Sequence, residues 1–130
     1  AKDAAGNWGP FHEIDLTLDK TAPAIQSATA SGNAANTRTL TVQASDNTGG
    51  TGINAAEAFI GADPGLGNGK ALPGAASPSF TASVSWGPSP VAGTVYLGTT
   101  APVNSDPSRQ LWVRVRDAAG NWSQPVKVTV

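Results

Sequence analysis

The chain contains no cysteine, which removes disulfide staples, thiol nucleophiles and thiolate metal sites together. Methionine is also absent, even at residue 1, as expected of a processed end or of a cut inside a longer polypeptide. Histidine occurs once, at His12 beside Glu13 and Asp15, where an exposed surface imidazole is expected. With no G-x-S-x-G elbow in the sequence, nothing supports a Ser-His-Asp relay. Charged residues make up 13% of the chain and the eight basic ones are scattered, so no clustered cationic face exists for nucleic acid. No apolar run approaches the roughly 18 residues of a membrane helix, and the opening AKDAAGNWGP lacks the apolar core of a signal peptide. Membrane insertion is therefore not expected.

What the sequence does hold is turn chemistry and period-two alternation. Fifteen glycines, ten prolines and abundant Ala, Ser and Thr suit a loop-rich all-β chain, and 130 residues suffice for one core without staples. Leu40, Val42 and Ala44 alternate with Thr39, Thr41 and Gln43; Phe80, Ala82, Val84 and Trp86 alternate with Thr81, Ser83 and Ser85. Strands are predicted over 24–30, 39–44, 56–61, 80–86, 94–97, 110–116 and 126–130. The third is NAAEAFIGA, whose Ala and Glu favour helix and whose only β-branched residue is Ile60; it is nevertheless read as a strand. Residues 61–74 and 87–93 read as Gly/Pro-rich loops.

DAAGNW occurs twice, at 3–8 and at 117–122, each time followed by an alternating run, IDLTL at 14–18 and VKVTV at 126–130. The offsets of 114 and 112 residues match one small β-sandwich module. The expected organisation is the last turn and strand of a preceding repeat at 1–18, a linker DKTAP at 19–23, and a complete module of about seven strands at 24–130. Modules in tandem more often hold things at a distance or bind surfaces than perform chemistry. A lone strand is unstable in water, so 11–18 is expected to pair with an edge of this module, with a neighbouring copy by strand exchange, or within a longer chain.

VRVRDAAGNWSQPVKVTV, LTVQASDNTGGTGINAAEAFIG and DKTAP, in that placement, make residues 19–130 resemble bacterial immunoglobulin-like repeats of surface adhesins and secreted multidomain proteins. The resemblance implies an immunoglobulin-like antiparallel β-sandwich, a secreted or cell-surface bacterial location, neighbouring repeats as partners, and a non-catalytic spacer or surface-presenting role. The alternative is a module that binds a glycan or a surface protein.

In such a sandwich the chain enters at the end that carries the second-to-third-strand loop and the loop before the last strand. That brings Asp19, Asp46 and Asp117 together with Asn47 and Asn121, an oxygen-rich set suited to Ca²⁺, which takes about 6 to 8 such ligands. The resemblance implies calcium between modules, where it stiffens an array. An equally direct reading has Asp117 and Asn121 serve only the DAAGN turn, with Gly120 or Asn121 left-handed; Asp19 has no such turn role.

On the penultimate strand Trp112, Arg114 and Arg116 share one face and Leu111, Val113 and Val115 the other. Aliphatic side chains fill a core better, so the Trp/Arg face is expected outward, either as a guanidinium–indole stack or as a glycan or protein platform. The repeated Trp8 and Trp122 are expected to cap the core end. DPGLGNG at 63–69 lacks the spacing of a P-loop or an EF-hand and reads as a plain surface loop. Glu57 lies in a strand with no cleft indicated, so a glycosidase-like carboxylate pair has little footing. Lys127 and Glu57 are ingredients of the Lys–Asn crosslinks of some surface modules, but no spacing singles them out.

Overall fold

The computed structural model describes residues 19–32, 34–48 and 50–130; the 3–8 copy of the repeat with its Trp8, the 11–18 strand and His12 lie outside them. Among the described residues eight strands form: β1 (Ala24–Ser31), β2 (Thr37–Ser45), β3 (Ile53–Ile60), β4 (Lys70–Ala71), β5 (Ser79–Ser85), β6 (Val95–Tyr96), β7 (Leu111–Asp117) and β8 (Val126–Lys127). They make two sheets, ordered β1-β2-β5-β6 and β4-β3-β7-β8. The chain therefore crosses repeatedly from one sheet to the other. The first, second and fifth strands share one layer and the third and last two share the other, as in an immunoglobulin-type sandwich. All seven expected strands are present. The eighth, β4, sits inside the segment read as loop, because two rungs to β3 (Glu57↔Ala71 and Ala58↔Lys70) are too few to leave a periodic trace in sequence. Pairing is antiparallel except for β5 with β6, which run parallel.

The alternation seen in sequence is what builds the core. Leu40, Val42 and Ala44 of β2 and Phe80, Ala82 and Val84 of β5 face Ala56 and Ala58 of β3 and Leu111, Val113 and Val115 of β7; Ala28, Leu72, Trp86 and Val128 close the rim. Each fully buried Leu or Val contributes about 1.5–3 kcal/mol relative to exposure. In β3 the run Ala56, Glu57, Ala58, Phe59 is buried throughout, so both faces of this strand are covered. Its helix-favouring composition, a preference of a few tenths of a kcal/mol per residue, is overridden by the ladder from Ile53↔Asp117 to Ile60↔Leu111.

Two features position the ends of the module. Ile53, the first residue of β3, lies opposite Asp117, the last of β7, and Ala118 N–H donates to Gly52 O at 3.0 Å. The β2–β3 loop and the DAAGN turn therefore stand side by side at the end where the chain enters. At the opposite end β8 is shorter than the expected 126–130. Beyond it Ala30 N–H donates to Thr129 O, and the Asn104 amide stands in for a strand partner: Nδ2 donates to Val130 O at 2.8 Å and Val130 N–H donates to Oδ1 at 3.1 Å.

Candidate functional site

Asp19, Asp46 and Asp117 come from the linker, the β2–β3 loop and the end of β7, and each offers a carboxylate oxygen within 4.8 Å of the others. Asp19 is anchored twice. Its backbone carbonyl accepts from Asn121 Nδ2 at 2.8 Å, and its Oδ2 accepts from Thr51 N–H at 3.1 Å and from the Thr51 hydroxyl at 3.2 Å. Oδ1 accepts from Thr21 N–H at 3.1 Å. The Thr51 amide above all, opposed by partial burial and helped by Thr21, holds the Asp19 carboxyl below its ordinary value of 3.8. Asp46 accepts from Asn47 N–H at 2.9 Å and from Gly52 N–H at 2.7 Å. The loop wraps it so closely that a Cβ on Gly50 would lie 2.5 Å from Asp46 Oδ2, so a larger residue there would push the Asp46 carboxylate aside. Asp117 is fully buried; Asn121 N–H donates to its Oδ1 at 2.8 Å and Asn121 Nδ2 to its Oδ2 at 2.9 Å.

This arrangement joins the two readings of the DAAGN motif. Asp117 and Asn121 do form the turn, with Gly120 at φ +93° and its N–H donating to Asp117 O, and the same Asp117 also borders the cluster. Asn121, expected as an oxygen ligand, instead presents its amide nitrogen to Asp117 and to Asp19 O; it braces the carboxylate cluster from behind. Three carboxylates this close repel by about 1 kcal/mol per pair in bulk water and several-fold more where water is excluded. Among the described residues none of the three takes part in an ion pair. Neutral donors offset part of the repulsion. The Asn47 amide, turned with its nitrogen inward, donates to Asp46 Oδ1 at 2.8 Å and to Asp19 Oδ1 at 3.2 Å; turned the other way it offers a fourth oxygen to the same point. Hard oxygen donors with no nitrogen or sulfur ligand among them fit Ca²⁺.

The expected Trp/Arg platform is different from what the alternation suggested. Arg114 does lie on the face away from Leu111, Val113 and Val115, but its side chain is only 1% exposed. Segment 61–69 folds over it. Arg114 Nε donates to Glu57 Oε1 at 2.6 Å, Nη1 donates to both Asp63 oxygens at 2.9 Å, and Nη2 donates to Gly65 O. Glu57, directly opposite Arg114 in the β3–β7 ladder, also accepts from Gly67 N–H and Gly69 N–H, each at 3.1 Å. The segment expected to be a plain loop is thus the lid on a buried ion pair. Trp122 is also placed differently: its ring lies 5.6 Å from the Arg114 guanidinium and 5.5 Å from that of Arg116, on the outer face of the sheet and not over the core end. Arg116 Nη2 donates to Asn54 Oδ1 at 2.9 Å.

Sequence reasoning missed the Glu57–Arg114 pair. A signal existed: apolar residues occupy both parities of AAEAFI, which means both faces are covered, so a lone acid there requires a buried partner. Trp112 remains half-buried beside Phe59, Gly61, Asp63, Pro107 and Pro125, which line a shallow hollow of about 200 Å³. Glu57 is engaged by Arg114, and exposed Lys127 donates from Nζ to Asn104 O at 2.9 Å. Among the described residues no helix is long and apolar enough to cross a membrane. Comparison with family models, with curated proteins and with solved structures finds no match to this chain.

Proposed function

We propose that the chain is a non-catalytic spacer module of an extracellular, multidomain bacterial protein, and that Ca²⁺ at Asp19, Asp46 and Asp117 stiffens the point where the chain enters. The observation that carries this reading is the anchoring of Asp19. Asp19, the first linker residue, is gripped through its backbone by Asn121 and through its side chain by Thr51, so the exit of the chain at residue 19 is fixed to the module. A spacer needs such a fixed exit, because a free joint transmits neither distance nor orientation. The three carboxylates would hold the cation, with the Asn47 amide oxygen turned toward it. The ion would supply the positive charge that no side chain of the cluster provides. The repeated DAAGNW supports the same reading, since it places a second Asp and Asn one module length upstream.

A glycan- or protein-binding role for the Trp112 face has less support. Of Trp112, Arg114 and Arg116, the middle residue is buried under the 61–69 segment, which splits the face into half-buried Trp112 with its hollow and half-buried Arg116.

Thermal unfolding of the chain during calcium titration tests the reading. A ligand at 100 times its dissociation constant that binds only the folded state adds about 2.7 kcal/mol, so a clear rise in midpoint is expected, lost in Asp19→Ala. An unchanged midpoint across millimolar calcium would leave the stiffening to the hydrogen bonds alone and overturn the metal half of the proposal.

A further inference from the structure

Asn68 and Gly69 form an Asn-Gly step, the sequence context in which an asparagine most readily deamidates, because no side chain hinders the following nitrogen. In that reaction the Gly69 nitrogen loses its proton and attacks Asn68 Cγ. A C–N bond closes the succinimide ring, the Cγ–Nδ2 bond breaks and ammonia leaves with the proton. Water then opens the ring at either carbonyl to give aspartate or isoaspartate. Asn68 is exposed, so water and base reach it freely.

The structure sets a guard on this step. Gly69 N–H, the nucleophile, donates to Glu57 Oε2 at 3.1 Å. Removing its proton would leave a nitrogen anion against a carboxylate that is itself buried and cannot move away. Glu57 is itself held in place, since Arg114 pairs with its other oxygen at 2.5 Å. Asn68 is held as well, its N–H donating to Gly65 O at 3.1 Å and its Nδ2 to Pro64 O at 3.2 Å, and ring closure requires the side chain to leave that position. A Cβ at position 69 would lie 3.0 Å from Glu57 Cγ and Cδ and 3.1 Å from Ala58 O, a tight fit that favours glycine there. The close packing that covers the ion pair therefore favours glycine next to Asn68 on an exposed loop.

We propose that Asn68–Gly69 is a latent deamidation site, held in check by the Glu57 carboxylate on the Gly69 N–H, and that its reaction unlatches the lid over Arg114. The product adds a negative charge one residue from Gly69, close to Glu57, and in the isoaspartyl form one extra backbone carbon. Either change disfavours the Gly67 and Gly69 hydrogen bonds to Glu57.

The test is peptide mapping by mass spectrometry of the whole folded chain aged in mildly alkaline buffer, beside a synthetic peptide of residues 62–70. The folded chain is expected to deamidate at Asn68 at least about tenfold more slowly than the peptide, given hydrogen bonds to a charged acceptor that ring closure must break. Glu57→Gln, checked for its near-ultraviolet tryptophan signal, should recover most of the peptide rate. Asp63→Asn leaves Glu57 in place and should stay near the wild-type rate, which separates the guard from general loosening of the lid. Asn68→Asp, the product itself, should lower the unfolding midpoint. Equal rates in folded chain and peptide would overturn the proposal, and so would a folded Glu57→Gln that ages no faster than wild type. If Glu57→Gln does not fold, the comparison of chain with peptide and the Asn68→Asp midpoint decide it.

Discussion

At the scale of single residues the molecule is organised around one decision, the burial of Arg114. A guanidinium taken out of water costs several kcal/mol and is tolerated only when its donors are met; here Glu57, Asp63 and Gly65 O meet four of them, with Phe59 and Trp122 rings at 5.1 and 5.6 Å. The pair is unequal, since Glu57 is 4% exposed at its side chain and Asp63 49%. Arg114→Met should therefore destabilise the fold by about 3–5 kcal/mol, chiefly because it leaves Glu57 charged and unpaired, whereas Asp63→Asn should cost under about 1 kcal/mol, as an exposed ion pair does. Chemical denaturation of the two variants checks the ordering. Replacing Glu57 and Arg114 together by apolar residues should recover much of the Arg114→Met loss, because what hurts is the orphaned charge and not the missing attraction.

At the scale of elements, β3 and its continuation show how a weak local preference yields to position. Ala56 and Ala58 are small because the core face of β3 packs against the opposite sheet, and Glu57 and Phe59 are buried because the chain turns back over them. That reversal begins at Gly61, which has φ +82° and whose N–H donates to Gln110 O at 2.9 Å. A Cβ at this position would lie 2.6 Å from Ser108 O, a backbone atom that cannot step aside. Gly61→Ala is expected to cost about 1–3 kcal/mol, from left-handed strain and from the clash together. Gly67→Ala, with φ +80° but open space around its Cβ, carries only the strain and should cost less. Urea midpoints of the two variants separate the contributions.

At the scale of the whole molecule, hydrogen-bonded carboxylates at three separate places set a common response to acid. Asp19 is lowered mainly by the Thr51 amide, Asp63 by the Gly65 amide with Arg114 assisting, and Asp106 by the Ser108 hydroxyl and amide. Each folded value lies below the unfolded value of 3.8. Their contribution is therefore fully present above about pH 4 and is lost as pH falls through the folded values, where the unfolded chain binds more protons. Stability should be nearly flat from neutral pH down to about 5 and decline below about 4; Asp106→Asn should shallow the decline, and a profile that rises toward acid would contradict the assignment. Denaturant unfolding across that range reads it directly. Asp19 and Asp106 sit near opposite ends of the module, so acid loosens both the chain's entry and the loop that carries Asn104 and the final strand.

Sequence and structure divide the account along the range of the forces involved. Alternation along β2, β5 and β7 was enough to assign their inward faces, because side-chain direction in a strand has a period of two and needs no knowledge of partners. Glycines and prolines marked the loops for the same local reason. The convergence of Asp19, Asp46 and Asp117 was reached through a resemblance to a family, not through the residues alone. Contacts between segments distant in sequence were settled only by the fold. Outward alternation on β7 could not reveal that residues 61–69 would cover Arg114, since burial is a property of what lies above a strand and not of the strand. Nor could spacing show that Asn121 turns its nitrogen, and not its oxygen, toward Asp19, a choice fixed by hydrogen-bond partners that lie 102 positions apart in the chain. The sequence determined the strands and their faces because those depend on neighbours one or two residues away; the tertiary structure decided which charges meet, because that depends on where the chain returns.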